Sequence, residues 1–542
     1  MRRILLRPAS AQSHFVKHTL SLHAHRRAVV TMASPASSRT YTDALNLLNT
    51  LIPNLKIHAL FGGGSKDAKA GPAPAANGPQ DAGPKPDPNL LAIPEMRAWL
   101  SRAALTPEAL SSLSYIHVAG TKGKGSVTAL ATAALLSSPA AAGRVGTYTS
   151  PHLVSPRERI ALDGRPVSQD LFARHFFELW DALSRAPADE PLGIEAGSKP
   201  FYFRYLTLLA LRIFLAEGVR SAVVECGIGG EYDATNVIPA AAVTAAVVTQ
   251  LGIDHVAMLG STAERIAWHK AGVMKPGVAA FTRRLDDQPG VMDVLRSRAR
   301  DAGADLVEVP DDDVAAWAGV PGAKLPGGDF QKRNQALAAL AASHHLRVLE
   351  ARDARPAPPS LRDVSETIIS GLREATLRGR HEVIKREGVS WHLDGAHNTD
   401  SLAEVARWIA PVVAAEQAGF VLVFNQQERD AAELLLGLLE AIKAAGADLG
   451  SRLTNVIITR NDKTKIAEDV DLSVQQKCAD ALREAYPGAV STVCPDLAAM
   501  KSAVDAIAVE QSKKGHETRV LVTGSMYLVG NVIGLLEPDG LL

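Results

Sequence analysis

The chain has 542 residues, of which 46% are hydrophobic and 21% charged, and its 58 basic residues balance 58 acidic ones. This length is too great for one hydrophobic core, so we expect at least two domains of ordinary globular composition. Zero net charge excludes a broad nucleic-acid-binding surface, which needs a basic excess. Three scattered cysteines exclude a disulfide framework, and no apolar run is long enough for a membrane span.

The N-terminal segment 1–40 has the composition of a mitochondrial transit peptide. It carries seven basic residues and many serines but no Asp or Glu. Arginine-rich and serine-rich segments without acidic residues are typical of transit peptides. A disordered basic tail is the alternative. Because Met32 offers a second start, we expect a mitochondrial matrix form and a cytoplasmic form.

Residues 41–350 are predicted to form an α/β domain with an insert. Apolar residues at helical spacing predict helices over 42–60 and 93–113. Residues 62–89 contain no aromatic residue and no Leu, Ile or Val, which indicates a disordered insert. Strands and helices then alternate, with strands at 143–149, 220–225 and 243–249 and helices at 171–183, 201–217 and 331–345. Alternation with nearly continuous apolar strands predicts a doubly wound parallel sheet.

A proline-rich, charged stretch at 351–365 is the best candidate for a linker between domains. The remaining residues, 366–542, alternate again between strand and helix patterns. Strands are predicted at 391–394, 420–424, 455–459 and 519–523. The second domain is therefore also α/β and is smaller than the first.

The most informative segment is 114–126, with the sequence SYIHVAGTKGKGS. A short apolar strand enters a loop rich in glycine and lysine, and the loop opens a helix. Such a loop brings backbone N–H groups close to phosphate oxygens at a helix N-terminus. The predicted nucleotide-binding residues are Gly120, Thr121, Lys122, Gly123, Lys124, Gly125 and Ser126. The alternative is a surface turn rich in glycine and lysine.

This loop departs from the common phosphate-loop pattern, because Gly125 stands between Lys124 and Ser126. In the common pattern the lysine is followed directly by a serine or threonine. A lysine in this position reaches the terminal phosphates, and a hydroxyl at the helix start can bind magnesium. We therefore predict a nucleoside triphosphate site of P-loop type.

Ligands of open parallel sheets bind at the carboxyl ends of the strands. Three such ends, besides the phosphate loop with Ser126, carry Ser150, Glu225 and His255. The carboxylate of Glu225 suits Mg²⁺ beside phosphate oxygens, and Ser150 adds a neutral oxygen. His255 is a softer ligand than magnesium prefers. The alternative for His255 is a loop histidine hydrogen-bonded to a carboxylate such as Asp254, and the alternative for Glu225 is an acid that caps a helix or turn.

Several motifs, in order along the chain, together resemble the folylpolyglutamate synthases, which are related to the amino-acid ligases of peptidoglycan synthesis. The motifs are IHVAGTKGKGS at 116–126, TSPHL at 149–153, RER at 157–159, VECGIGG at 224–230, LGIDH at 251–255, AWHKAG at 267–272, LDGAHN at 393–398 and VTGSMYL at 522–528. The resemblance begins near Tyr41 and leaves out the leader and the insert. It implies a P-loop ATPase-like first domain and a Rossmann-like second domain that closes over ATP.

The resemblance also implies ligands for magnesium. Ser150, Glu225 and His255 match the family's magnesium-binding positions, alongside Ser126 of the phosphate loop. Lys270 matches a lysine that is carbamylated in related enzymes, and its modified side chain would serve a second metal ion; an exposed helix lysine is the alternative. A monovalent cation is a further expectation of the resemblance.

Residues late in the first domain and in the second complete the implied site. Asn334, Arg380 and Asp394 resemble nucleotide contacts, whereas His397 and Ser525 resemble positions near the incoming glutamate. The alternatives for Asn334, Arg380 and Asp394 are a polar helix residue, a surface charge and a turn acid at a strand end. The alternatives for His397 and Ser525 are an ordinary turn histidine and a serine at a helix start. The residues expected to act in catalysis are Lys124, Lys270 and His397.

The implied reaction joins glutamate to the γ-carboxylate of a reduced folate through an acyl phosphate, with ATP as the source of the phosphoryl group. The expected partners are the small molecules reduced folate, L-glutamate and ATP, and the expected state is a monomer. Dihydrofolate synthase, which adds glutamate to dihydropteroate, is the nearest alternative. A nucleotide-switched binding protein without ligase activity is a more distant one.

Overall fold

The computed structural model describes residues 39–52, 88–325, 328–351, 356–415, 418–427, 430–447, 449, 453–464 and 470–537. Residues Thr40–Leu542 belong to one compact unit. The predicted leader 1–40 and insert 62–89 lie outside the described residues, except at their last two positions. In the part of the chain that is described, no helix has the length and apolar character needed to cross a membrane.

Among the described residues, eight strands form the first sheet in the order β4-β3-β2-β5-β1-β6-β7-β8. All neighbouring pairs are parallel except β2 with β3 and β3 with β4. The strands are β1 (Ser114–Ala119), β2 (Val145–Tyr148), β3 (Ile160–Leu162), β4 (Arg165–Pro166), β5 (Ser221–Glu225), β6 (Val243–Val248), β7 (Ala279–Arg283) and β8 (Asp305–Val309).

Helices cover both faces of this sheet. In chain order they are α1 (Tyr41–Thr50), α2 (Ala92–Arg102), α3 (Pro107–Leu110), α4 (Lys124–Leu136), α5 (Pro139–Ala142), α6 (Gln169–Arg185), α7 (Tyr202–Ala216), α8 (Val256–Leu259), α9 (Ala263–Lys270), α10 (Pro289–Ala302), α11 (Asp311–Ala316), α12 (Asp329–Glu350) and α13 (Glu366–Glu374). Side chains alternate across β1, so Tyr115 packs in the core with α6 and α7, whereas Ile116 and Val118 pack with α4 and α12.

A second sheet of six described strands has the order β13-β12-β11-β14-β10-β9, and it is parallel except for the pair β9 and β10. Its strands are β9 (Glu382–Arg386), β10 (Val389–Leu393), β11 (Ala418–Phe424), β12 (Leu453–Thr459), β13 (Val490–Cys494) and β14 (Glu517–Thr523). Its helices are α14 (Thr399–Ala414), α15 (Ala431–Ala444), α16 (Ser473–Ala485), α17 (Leu497–Lys513) and α18 (Met526–Leu536). The expected fold of two α/β sheets is thereby confirmed.

The turn after β2 links the two sheets. Leu153 and Val154 pack against the core formed by α17 and α18 of the second sheet. Helix α18 packs closely against this turn, because a Cβ on Gly530 would lie 2.2 Å from the Leu153 carbonyl oxygen. Helix α13, by contrast, contributes Ile368 and Leu372 to the core of the first sheet. The chain passes from the first core to the second after this helix, and the predicted domain and linker boundaries stay predictions.

Most predicted elements lie where the pattern placed them, but the helix predicted over 93–113 is two helices, α2 and α3. Ala104 interrupts it with a φ of 56°, a conformation that a helix does not contain. Thr106 then caps α3, accepting from the Ala109 N–H, and Pro107 occupies its first position. The first predicted helix ends at Thr50, and residues 53–87 lie outside the described residues.

Candidate active site

The phosphate loop joins β1 to α4 through two glycines with positive φ angles. Gly120 has a φ of 150°, and a Cβ there would lie 1.8 Å from Thr249 Oγ1. Gly123 has a φ of 88°, and a Cβ there would lie 2.5 Å from Asn334 Oδ1. Glycine alone permits both approaches, because it has no Cβ and adopts positive φ without strain. The loop is therefore held in place where the first N–H groups of α4 attract an anion.

Two lysine ammonium groups converge on one carbonyl oxygen of this loop. Lys124 Nζ donates to the Gly120 oxygen at 3.0 Å, and Lys270 Nζ donates to the same oxygen at 2.7 Å. Lys270 is 1% exposed, and burial, followed by the charge of Lys124, lowers its pKa to about 7. Within the described residues neither lysine pairs with a carboxylate. Two amino groups side by side, with no carboxylate in contact, fit a ligand with several negative oxygens, as a nucleoside triphosphate has.

Glu225 ends β5, the strand beside β1, and its carboxylate lies next to the start of α4. The carboxylate is 3% exposed and accepts the Ser150 N–H at Oε2, 3.1 Å away. A Cβ on Gly125 would lie 3.9 Å from both carboxylate oxygens. Burial raises the pKa of Glu225 to about 7, against the opposing charge of Lys124. A buried carboxyl that ionises only near neutrality would be stabilised in its charged form by a divalent cation.

Three of the five predicted magnesium ligands, Ser126, Ser150 and Glu225, lie on neighbouring segments at this edge of the sheet. Ser126 follows Gly125 in the first turn of α4, and Ser150 donates its N–H to Glu225. The donor set of one carboxylate and two hydroxyls consists of hard oxygens, which suits Mg²⁺. The side chains present therefore fit a magnesium ion, whose binding here stays a prediction.

His255 adopts a left-handed conformation, with a φ of 50°, and begins α8. Its N–H donates to Asp254 Oδ1 at 2.9 Å, and its Nε2 lies 3.8 Å from Asp254 Oδ2. Burial lowers the pKa of His255, the charge of Asp254 raises it, and the charges of Lys124 and Lys270 lower it further. Over the described ranges no three His, Cys, Asp or Glu side chains cluster as metal ligands; a site here needs the serine oxygens or a modified Lys270.

Asn334 lies against the phosphate loop, and its contact with a nucleotide stays a prediction. It is 2% exposed on α12, donates through Nδ2 to Gln331 Oε1 at 2.7 Å, and touches Gly123 with its Oδ1. The loop is further tied to the second sheet, because Lys122 Nζ donates to Asp400 Oδ2 at 2.7 Å.

Arg380 and Asp394 bring groups of the second sheet to the same region. Asp394, at the end of β10, accepts N–H groups from Ala396 and His381, both at 2.9 Å. These contacts hold the loop that carries Arg380, whose side chain lies against Met526 Sδ at 2.7 Å. The Arg380 charge also acts on Glu225. Groups from both sheets therefore share one site.

His397 and Ser525 lie in neighbouring loops, at the ends of β10 and β14. The Nδ1–H of His397 donates to the Gly395 carbonyl at 3.0 Å, which leaves Nε2 as an acceptor. Ser525 caps α18, and its hydroxyl accepts the Leu528 N–H at 3.4 Å. The serine therefore has the structural role of a helix cap, and its contact with glutamate stays a prediction.

Sequence reasoning missed three residues that shape the site. Gln426 bridges two loops, since its Nε2 donates to the carbonyls of His397 and Gly524 at 3.3 and 3.2 Å. Arg159 Nε donates to His152 Nδ1 at 2.9 Å, and burial with the Arg159 charge lowers the pKa of His152 to about 4. His152 and Arg159 lie in the motifs at 149–153 and 157–159, but nothing in these motifs indicated the hydrogen bond between the two side chains.

A nucleotide bound at the loop would be enclosed between the two sheets, because both contribute groups to the same site. Such a site fits an enzyme that activates a substrate with ATP between two domains. No family model matches the chain. It is 38% identical over 535 residues to a folylpolyglutamate synthase from Neurospora crassa, covering 94% of this chain and 93% of the relative.

A folylpolyglutamate synthase from Saccharomyces cerevisiae is 33% identical over 513 residues, which cover 92% of this chain and 87% of the relative. The crystal structure of a Mycobacterium tuberculosis folylpolyglutamate synthase complexed with ADP and AMPPCP is similar in fold. Its TM-score is 0.61 at 25% identity, over 82% of this chain and 96% of that one. The chain belongs to the folylpolyglutamate synthase family.

Proposed function

We propose that this chain uses ATP to join the amine of L-glutamate to the terminal γ-carboxylate of a reduced folate. The observation that carries the proposal is the convergence of Lys124 and Lys270 on one carbonyl beside Glu225. This site is built for phosphate oxygens and a cation. Family membership supports the choice of acceptor and of amino acid.

Ser126, Ser150, Glu225 and His255 would hold a magnesium ion at the phosphate oxygens. Bound there, the ion would neutralise charge on the transferring phosphoryl group. The protein itself supplies Lys124 and the N–H groups of the phosphate loop, which are placed before the reaction begins. Groups placed in advance stabilise developing charge without having to reorganise.

In the first step a γ-carboxylate oxygen of the acceptor attacks the γ-phosphorus of ATP. The bond from that phosphorus to the bridging oxygen breaks, ADP leaves with the electron pair, and an acyl phosphate forms. Arg380 and Lys124 are the cations in reach of the charge that moves to ADP. Arginine supplied by a second domain is effective in phosphoryl transfer because its planar fork matches phosphate oxygens.

In the second step the neutral amine of glutamate attacks the acyl carbon, and the carbon–oxygen bond to phosphate breaks. The nitrogen starts as an ammonium group and loses two protons on the way to the amide, one before it attacks and one to the departing phosphate, which leaves as hydrogen phosphate. His397 Nε2 is an acceptor in this region and would take one of them. Enclosure between the sheets would keep water from the acyl phosphate.

Lys270 is a candidate for carbamylation. Burial lowers the pKa of Lys270 to about 7, so a substantial fraction of this lysine is neutral near neutral pH, and a neutral amine adds to carbon dioxide, releasing one proton. The product would convert a buried cation into an oxygen ligand for a second metal ion. The variant Lys270→Ala should lose activity and regain part of it with added short carboxylates; absence of any rescue would count against the modification.

The function is tested with purified protein, ATP, labelled glutamate and either tetrahydrofolate or dihydropteroate as acceptor. We expect transfer to tetrahydrofolate and release of ADP and phosphate in equal amounts. Faster transfer to dihydropteroate would identify a dihydrofolate synthase instead. ATP hydrolysis that is indifferent to both acceptors would indicate a nucleotide-switched protein without ligase activity.

We also propose that the chain is made in a mitochondrial form starting at Met1 and a cytoplasmic form starting at Met32. The basic, acid-free composition of 1–40 supports the first form. Fluorescent fusions started at each methionine should reach different compartments, and identical localisation would contradict the proposal. A monomeric state and a bound monovalent cation remain expectations, testable by sedimentation and by the dependence of activity on potassium.

A further inference from the structure

Arg159 is a buried cation that no described carboxylate contacts. Its side chain is 9% exposed, yet within the described residues no carboxylate pairs with it. Its only described side-chain hydrogen bond is donated by Nε to His152 Nδ1 at 2.9 Å. The two Nη groups of the guanidinium have no hydrogen bond among the described residues. A buried charge without a partner is costly, and an anionic ligand can compensate it.

Arg159 lies beside the reaction centre. Its carbonyl accepts the N–H of Thr149 at 2.9 Å, and the next residue, Ser150, donates its N–H to Glu225. The guanidinium charge acts on the Glu225 carboxyl together with that of Lys124. Tyr202 bounds the guanidinium on one side, with 5.6 Å between Cζ and the ring centroid. The free Nη groups are thus next to the place where an acceptor carboxylate must meet ATP.

His152 fixes the orientation of this fork. Because Nδ1 accepts from Arg159 Nε, the guanidinium plane is held by the turn that also carries Ser150. A guanidinium held at Nε presents its two Nη groups side by side, which matches the two oxygens of a carboxylate. Lysine in this position would supply the charge but not the paired geometry.

We infer that Arg159 binds the α-carboxylate of the acceptor's terminal glutamate and so directs the γ-carboxylate to ATP. This inference rests on the proposed function. A terminal glutamate has two carboxylates, of which one is activated and the other stays charged throughout. Dihydropteroate has a single carboxylate, and that one reacts. Arg159 is therefore a specificity-determining residue that favours folates over pteroates and γ-linkage over α-linkage.

The test compares tetrahydrofolate with its α-carboxamide, which keeps the reacting γ-carboxylate. The wild-type chain should use the α-carboxylate form with a kcat/KM about 10- to 100-fold higher, as expected for a charge-assisted hydrogen-bonded pair. In Arg159→Gln this preference should fall below about threefold, whereas the KM for ATP stays unchanged. Arg159→Lys should retain part of the preference. Arg165→Gln, on the exposed strand β4, is the matched control and should behave as wild type.

Several results would overturn the inference. One is an equal use of both acceptors by the wild type, and another is an undiminished preference in Arg159→Gln. A third is an equal decrease in the kcat/KM of Arg159→Gln with both acceptors, which would mean that Arg159 only supports the fold. If Arg159→Gln does not fold, as judged by thermal unfolding and ATP binding, the preference of Arg159→Lys decides in its place. Failure of the proposed function looks different: the wild type would bind ATP and transfer glutamate to neither folate.

Discussion

Replacing Glu225 with glutamine should stabilise the ligand-free protein above neutral pH and abolish its activity. Burial raises the pKa of this carboxyl from 4.5 to about 7, so the folded protein binds a proton that the unfolded chain has released. Its stabilising contribution is complete below pH 4.5 and is lost as the pH rises through 7. The difference of about 2.5 between the two pKa values corresponds to about 3 kcal/mol. Glutamine avoids this cost and still accepts the Ser150 N–H.

The assay is unfolding by heat or urea at pH 5.5 and pH 8, with a chelator and without nucleotide. Between these pH values the stability advantage of Glu225→Gln should grow by about 2 kcal/mol, while glutamate transfer falls at least about 100-fold. Glu158→Gln is the control, because Glu158 accepts three backbone N–H groups, from Leu153, Val154 and Ser155; it should be less stable than wild type at both pH values. An advantage of Glu225→Gln that does not grow with pH would refute the reasoning.

Three further outcomes are expected. Lys124→Ala should fold normally but lose about 100- to 1000-fold in glutamate transfer, and normal turnover of labelled glutamate would contradict its role. Gly123→Ala should weaken ATP binding measured by calorimetry at least about tenfold, because its φ is 88° and the new Cβ meets Asn334. Unchanged binding would show that the loop adapts. Burial lowers the pKa of His117 to about 3, so protonation of the unfolded chain below pH 6.5 should cost the wild type about 1 kcal/mol of stability between pH 7 and 5.5. His117→Gln should lack this cost, and an equal acid sensitivity of both proteins would exclude His117 as its source.

The central strands of both sheets could be predicted from the sequence because they are buried on both faces. Such strands are continuous apolar runs, as in Val243–Val248 and Ala418–Phe424. The strands Asp305–Val309 and Val490–Cys494, at one edge of each sheet, were missed. Their residues are mostly half-exposed and mix polar with apolar side chains, so no continuous run marks them.

The candidate site was predictable where a simple rule of topology applies. The carboxyl ends of parallel strands meet at one edge, and this placed Ser150 and Glu225 together, as their hydrogen bond shows. Arg159 is not covered by the rule, because it precedes an antiparallel strand. Gln426 follows a parallel strand, but its function depends on two carbonyls contributed by other loops. Contacts between loops are set by packing, which periodicity does not encode.

The packing of Leu153 and Val154 into the core beneath Met526–Leu536 limits how the enzyme can be recombined. The turn that carries Ser150 is seated on a helix of the other sheet, and the missing side chain of Gly530 makes room for it. The two sheets are therefore not exchangeable modules. A chimera of two family members needs residues 150–155 and the final helix from the same parent, even though almost 400 residues separate them.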